Sequence, residues 1–415
     1  MKKILILMIV NIAIFAQVLA PPTGTTDPIS VADGFSLVGL RAAGMGGAHI
    51  GLAEDYTALW YNPARLAYIY RAEVSGGLNF EHSNVTNTFN GKTMETDASW
   101  TRFNQLGLIL PIPTSQGGLS FAMGFQRTNT FNKLMDFQNP DGVFGTEDIN
   151  GGLSRFSIGG GMQISEIAAL GATFDIPFGT ENYTFYYNNV PDEGDGRITR
   201  NDWTTNYTGV TGRFGVAIVP NKIVHLGLNI DLPTRYEASQ EVIERTEYLT
   251  DGYSDSLWTD DYNVEPYSLS TPFKFGAGMA LRFPYVIGSA DVQYSDYTQT
   301  EYREVWLRDQ NSLIKNSYTD VLSYRFGIEG IIPKAGMKLR AGYSHEPLHY
   351  TAYSIEKDRN YYTGGIGFLI SKTLSLDIAV VMSNYETLYS NTEGDAEWRE
   401  QWANTNAYFG IAYRF

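Results

Sequence analysis

Residues 406–415 read NAYFGIAYRF, and their period is two. Phe415, Tyr413, Ile411, Phe409 and Ala407 form one row; Arg414, Ala412, Gly410, Tyr408 and Asn406 form the other. Side chains alternate across a strand, so one face here is apolar and the other is small or polar. The pattern recurs upstream. Leu374, Leu376, Ile378, Val380 and Met382 oppose Ser375, Asp377, Ala379 and Val381. Val224–Leu232 and Phe273–Phe283 repeat it, the latter with Lys274, Gly276, Gly278, Ala280 and Arg282 on the polar side. A soluble sandwich also alternates. Here the apolar row is unbroken and the other is rich in glycine and charge, as in a wall with lipid outside and a polar lumen.

Connections set the strand number. Short turns are expected at 113–116, 165–166, 220–222, 284–285, 333–335 and 371–372. Long polar segments, read as loops, fall near 85–99, 138–150, 180–202, 236–268, 303–317, 346–360 and 389–400. Six short turns alternating with seven long connections predict fourteen strands, an even number with both ends on the short-turn side. The expected class is all-β, a closed fourteen-stranded antiparallel transmembrane barrel. Closure leaves no unpaired edge in a solvent that cannot satisfy one.

Composition agrees. Gly (42), Tyr (28) and Phe (22) are abundant while charged residues are only 18%. Met1-Lys2-Lys3 followed by the apolar run Ile4–Phe15 reads as a secretory signal over 1–20, with cleavage after Ala16 or Ala20 left open. The chain has no cysteine, hence no disulfide and no lipoprotein anchor. A net charge of −15 argues against nucleic acid.

Between signal and strands lies RAAGMGGAHIGLAEDYTALWYNPARLA, residues 41–67. Gly44, Gly46 and Gly47 lack phosphate-loop spacing and suit close backbone packing. Pro63 restrains Asn62 to extended or turn conformations, and Asn62 suits a local Asx-turn. A short helix with the apolar face Leu52, Tyr56, Leu59 and Trp60 is expected to end there.

This block, with the strand pattern after it, resembles the FadL/TodX family of outer-membrane transporters for fatty acids and other hydrophobic compounds. The resemblance covers the mature chain by architecture and about residues 40–67 by motif. It implies a small helical and irregular hatch over 21–70 inside a barrel over 71–415. Gly44, Gly46, Gly47, Asn62, Pro63 and Ala64 would be hatch or gating residues. Arg65-Leu66 follows NPA where the family commonly has Gly-Leu. PorV-like barrels share the motif and serve protein secretion systems. The implied function is therefore passive uptake of long-chain fatty acids or other hydrophobic small molecules across the cell outer membrane. The alternatives are a PorV-like secretion or assembly component with a protein partner, and a general porin. Outer-membrane lipid and lipopolysaccharide would surround it.

Setting Phe415 outward and propagating the alternation places Asp175, Arg213, Asp231, Lys274, Arg282, Asp291, Arg325, Glu329, Lys338, Arg340, Asp377 and Arg414 in the lumen. Such charges neutralise one another, or leave a cation for a ligand carboxylate, with Arg213, Lys274 and Arg325 as candidates. Gly124 is an inward glycine on the strand that a lateral exit would kink. Glu237–Glu265 holds nine acids and one base, Arg245, interleaved with Tyr248, Tyr253, Trp258 and Tyr262. That suits a solvated, cation-bridged loop, or a capture groove walled by Tyr183, Phe185, Tyr186 and Tyr187. The five histidines are scattered, so no catalytic site is expected; neither is a metal or a cofactor.

Overall fold

A computed structural model of the protein describes residues 37–138, 142–190, 195–251, 253–349, 354–390 and 397–415. The expected signal over 1–20 and the expected hatch residues 21–36 lie outside the described residues. The rest is a closed antiparallel barrel of fourteen strands. They are β1 Glu73–Phe89, β2 Lys92–Ile112, β3 Leu119–Thr130 with its continuation Lys133–Gln138, and β4 Phe144–Gln163. Next come β5 Ala168–Asn189, β6 Asp195–Ile218, β7 Val224–Asp231 continuing as Arg235–Thr250, and β8 Tyr253–Ser270 continuing as Lys274–Arg282. The last six are β9 Val286–Asp296, β10 Asp320–Ile332, β11 Met337–Glu346, β12 Ser354–Leu369, β13 Leu374–Ser390 and β14 Glu397–Arg414.

The barrel closes by pairing β1 with β14, from Glu73 opposite Arg414 to Phe89 opposite Trp398. Arg414 Nε donates to Glu73 Oε2 at 2.6 Å across that seam. Alternation sorts the faces as the sequence predicts. Phe409, Ile411, Tyr413 and Phe415 face outward, as do Phe174 on β5, Leu228 on β7, Phe275 on β8 and Phe326 on β10. A continuous apolar exterior of this kind is stable only against lipid.

The expected short turns all hold, but the long connections differ from the loops predicted. Most are outward continuations of the strands. β1 and β2 are joined by Asn90-Gly91 alone, both at positive φ (47° and 83°). This is the two-residue hairpin turn that an Asn-Gly pair favours. The segment at 236–268 is a long β7–β8 hairpin, and 303–317 carries a helix, α3, over Arg308–Ser317. Beyond the lipid both faces of a strand are wet, so the apolar row that marks a strand disappears although its backbone pairing persists.

Residues 37–70 run inside the barrel. They form α1 Leu40–Gly44, α2 Ala58–Tyr61 and a 3-10 turn Pro63–Tyr68. The helix expected through Leu52 and Tyr56 is thus shorter, confined to α2. Leu52, Tyr56, Leu59 and Leu66 are nevertheless buried. Glycines on the inner wall let this segment approach. A Cβ on Gly107 of β2 would stand 2.1 Å from Cγ of Tyr56.

Candidate functional site

The luminal segment is fixed at three places. Asn62, wholly buried, adopts an extended backbone (φ −163°) that ends α2 and begins the 3-10 turn. Its Nδ2 donates to Val216 O of β6 at 2.9 Å and to Ile50 O at 3.2 Å, and its Oδ1 accepts from Ala64 N at 3.1 Å. One side chain therefore caps the turn and ties two luminal stretches to the wall. Pro63 and Ala64 lie against Gly171 of β5, where a Cβ would meet Ala64 N at 2.3 Å.

Gly46, with φ of +64°, gives the second attachment. Its N–H donates to Thr363 Oγ1 at 2.9 Å, its carbonyl accepts from Ser344, and a Cβ would meet Tyr343 N at 2.7 Å. Gly47 also needs positive φ, at +75°, and Gly44 packs on Gly365 and Arg340. Beside them, His49 N and Ile50 N donate to Asp291 Oδ2 of β9 at 2.6 and 2.8 Å. Burial pushes the His49 imidazole down to about 3, so it is neutral at physiological pH.

Charge makes the third. Arg41 of α1 donates to Glu329 through Nη2 at 2.8 Å and Nε at 3.1 Å, and to Glu54 through Nη1 at 2.9 Å. Glu329 also accepts from Arg340 at 2.7 Å, Arg340 reaches Asp377 at 2.5 Å, and Glu54 accepts from Arg282. Glu54 thus serves as a hub, while its neighbour Asp55 accepts from Thr57 N at 2.9 Å at the start of α2. Arg65, the departure after NPA, stays within the segment: it bonds Ala53 O at 3.3 Å and lies 5.1 Å over Tyr68.

Above this segment is a cavity of about 70 Å³. Arg213, Lys274 and Arg325 all line it, joined by Arg155, which the sequence reading missed. Arg213 is engaged: it pairs with Asp231 and donates to Leu59 O at 2.9 Å. Arg325 donates to Gln293 at 2.8 Å, and Lys274 stands 5.7 Å from the Tyr297 ring centre. Arg155 and Arg213 each hold a guanidinium over the Trp60 ring of α2, 4.9 Å from its centre. Facing register pairs alternate in sign, with Arg213 opposite Asp231, Lys274 opposite Asp231, Asp291 opposite Arg325 and Glu329 opposite Arg340. Most luminal charge is thereby matched within the wall. Over the cavity, the outer mouth is filled by an apolar cluster that includes Phe131, Tyr207, Tyr236, Tyr267, Tyr302 and Ile314 of α3.

Beside the cavity the wall is interrupted. β2 pairs with β3 only from Ile112 opposite Leu119 to Gln105 opposite Gln126. Among the described residues no ladder joins 92–104 to 127–138. β2 carries a bulge at Asn104, and β3 shifts register against β4 between Arg127 and Asn129. Its continuation Lys133–Gln138 leans inward, Lys133 reaching Glu400 at 3.2 Å and Met135 packing with Val85 and Trp402. Gly124 is not at the break. It keeps partners on both sides, Gly107 and Ser157, and its missing side chain accommodates Tyr56. Polar side chains bridge the gap instead. Arg102 donates to Asn132 at 2.5 Å and lies 3.5 Å from Glu81, and Asp136 N donates to Thr96 Oγ1 at 3.0 Å. Outside, Phe103, Phe125 and Phe178 form a row of rings at its lower lip.

A family model described as BamG matches residues 1–338. Among solved structures, the P. putida toluene transporter TodX is 14% identical with a TM-score of 0.68, over 92% of this chain and 99% of that one. A Pseudomonas aeruginosa FadL homologue is 13% identical with a TM-score of 0.67, over 90% and 97%. The CymD monoaromatic hydrocarbon channel is 13% identical with a TM-score of 0.61, over 92% and 99%. At these identities the likeness is one of fold. No curated protein matches the chain.

Proposed function

The chain belongs to the BamG family, and from the geometry of its lumen we propose that it is an outer-membrane channel for passive uptake of hydrophobic small molecules. Long-chain fatty acids and hydrocarbons are the class in view. Residues 21–70 act as the hatch, and Gly44, Gly46, Gly47, Asn62, Pro63 and Ala64 hold it in place. The observation that carries this reading is the interrupted β2–β3 ladder beside a luminal cavity. Continuous backbone pairing seals a barrel wall where it meets hydrocarbon, and here it stops at Gln105, at the outer edge of the apolar band marked by Phe103. A wall that gives up pairing at one place therefore offers an exit there, and the ring-lined lip suits an apolar solute passing sideways into lipid. Entry requires the tyrosine-rich cluster that fills the outer mouth to part. In the cavity, Trp60 and the surrounding cations orient a carboxylate or an aromatic ring. The test is uptake of a labelled long-chain fatty acid by liposomes containing the purified barrel. Saturable uptake supports the reading, and rates equal to protein-free liposomes reject it.

A second reading rests on the filling of the lumen. Drug-sized ligands occupy pockets of roughly 300–1,000 Å³, whereas this cavity holds about 70 Å³. A permanently filled barrel suits a component of a secretion or assembly system that works through its outer face. Absence of saturable ligand binding, with a defined protein partner recovered in stoichiometric complex, would favour it. A general porin is disfavoured because residues 37–70 occupy the lumen.

A further inference from the structure

The β7–β8 hairpin projects outward and leaves one sheet edge uncovered. β7 pairs with β6 from Asp195 opposite Thr250 to Val210 opposite Arg235, and with β8 on its other side. The far edge of β8 is covered only at its base, where Leu269 and Ser270 pair with Tyr302 and Glu301 and Arg303 N donates to Ser268 O at 3.1 Å. Among the described residues nothing pairs with that edge from Tyr253 to Val264, roughly 40 Å at ~3.4 Å per residue. Register shifts at Ser254/Ser256 and Val264/Tyr267 bracket a regular stretch between them.

Proteins usually protect such an edge with lysines, prolines, bulges or a covering element. Pro266 and the bulges mark the ends of this one, but its centre holds neither Lys nor Arg. Instead Tyr253 is 80% exposed and Leu257 67%, and Asp255, Asp260 and Asp261 lie among them. Trp258, Asp260 and Tyr262 share one face by alternation. Asp260 stands directly opposite Glu244, a like-charge pair that destabilises a sheet. Burial and the Asp260 carboxylate raise Glu244 above the ordinary carboxylate range. Neither acid has an ion-pair partner among the described residues; the nearby base, Arg245, lies 3.7 Å from Asp202.

We propose that the free edge of β8 is a docking strand for an extended, basic segment of another polypeptide, which adds to the sheet as its next strand. Backbone hydrogen bonds to the edge supply affinity, and side chains of the incoming strand supply specificity. A Lys or Arg beside Asp260 relieves the Asp260–Glu244 repulsion and lies between the Trp258 and Tyr262 rings. The acids that attract such a segment repel a second copy of the same edge, which selects a foreign partner over self-association.

The test uses the full chain in lipid nanodiscs and a fluorescent peptide of about nine residues alternating lysine and threonine. Two controls replace lysine by glutamate, or methylate alternate backbone nitrogens of the lysine peptide. The expected result is saturable binding of the lysine peptide, about tenfold or more tighter than either control. Asp260→Lys should reverse the preference between lysine and glutamate peptides with the barrel still folded. Equal binding of the methylated peptide would mean charge without strand addition and overturn the proposal. So would no saturation up to about 1 mM, or dimerisation of the chain in the absence of peptide.

Discussion

Replacing Asn62 by alanine removes three hydrogen bonds from a site that water does not reach: to Val216 O at 2.9 Å, to Ile50 O at 3.2 Å and from Ala64 N at 3.1 Å. Each leaves a buried main-chain group without its partner, at about 1 kcal/mol for the net bond and more where no relaxation follows. Together the loss is about 3 kcal/mol. None of it falls on the barrel ladders, so strand pairing should survive while attachment of the luminal segment weakens. The chain has no cysteine, which allows a clean readout. A single Ala53→Cys, at a position fully buried in that segment, reacts with a thiol reagent only when the segment opens. If opening precedes labelling at equilibrium, about 3 kcal/mol speeds the reaction by about 100-fold. Heat-modifiable migration in gels reports the barrel independently. Labelling within twofold of the Ala53→Cys parent, with the barrel intact, would refute the argument that Asn62 anchors the segment.

Three further substitutions probe the same packing. Gly215→Ala places a Cβ 2.1 Å from Asn62 Oδ1 and 2.9 Å from Pro63 Cδ; overpacking costs about 1–3 kcal/mol, so the Ala53→Cys probe should label about tenfold faster or more. Glu329→Gln leaves Arg41 and Arg340 without their shared carboxylate, a loss of about 3–5 kcal/mol for a buried network, and should raise channel conductance in planar bilayers. Because burial lowers His49 from 6.5 to about 3, the folded segment favours the neutral ring. Its contribution is complete above pH 6.5 and is lost as pH falls, by about 2 kcal/mol at pH 5. Conductance should therefore rise between pH 7 and 5, and His49→Phe should remove that part of the rise.

What the sequence made legible follows from where water lies. Within the lipid, one face of each strand is apolar, so NAYFGIAYRF and its relatives reveal faces, register and strand number. Beyond it no such contrast exists, and the outer halves of β5 to β8 read as loops. The Asn90-Gly91 turn carried a hairpin signal that the polar surroundings obscured. Asn62 and the glycines of residues 41–67 stood out because their backbone demands are local. Arg155 could have been found by the same alternation, since Phe156 and Ile158 face outward on either side of Ser157. The β2–β3 gap could not. It depends on a bulge at Asn104, an inward lean at Asn132 and partners more than two hundred residues away, such as Glu400 for Lys133.

The central claim is that hydrophobic compounds leave through that gap. Asp136 N–H donates to Thr96 Oγ1 at 3.0 Å, so the two main chains lie within reach of a disulfide. In a Thr96→Cys/Asp136→Cys variant, oxidation staples β2 to β3 and reduction releases them. The measurement is uptake of a labelled long-chain fatty acid into liposomes by this variant in both states. The account predicts saturable uptake when reduced, a fall of about tenfold or more on oxidation, and recovery with reductant. Equal uptake in the two states would contradict it.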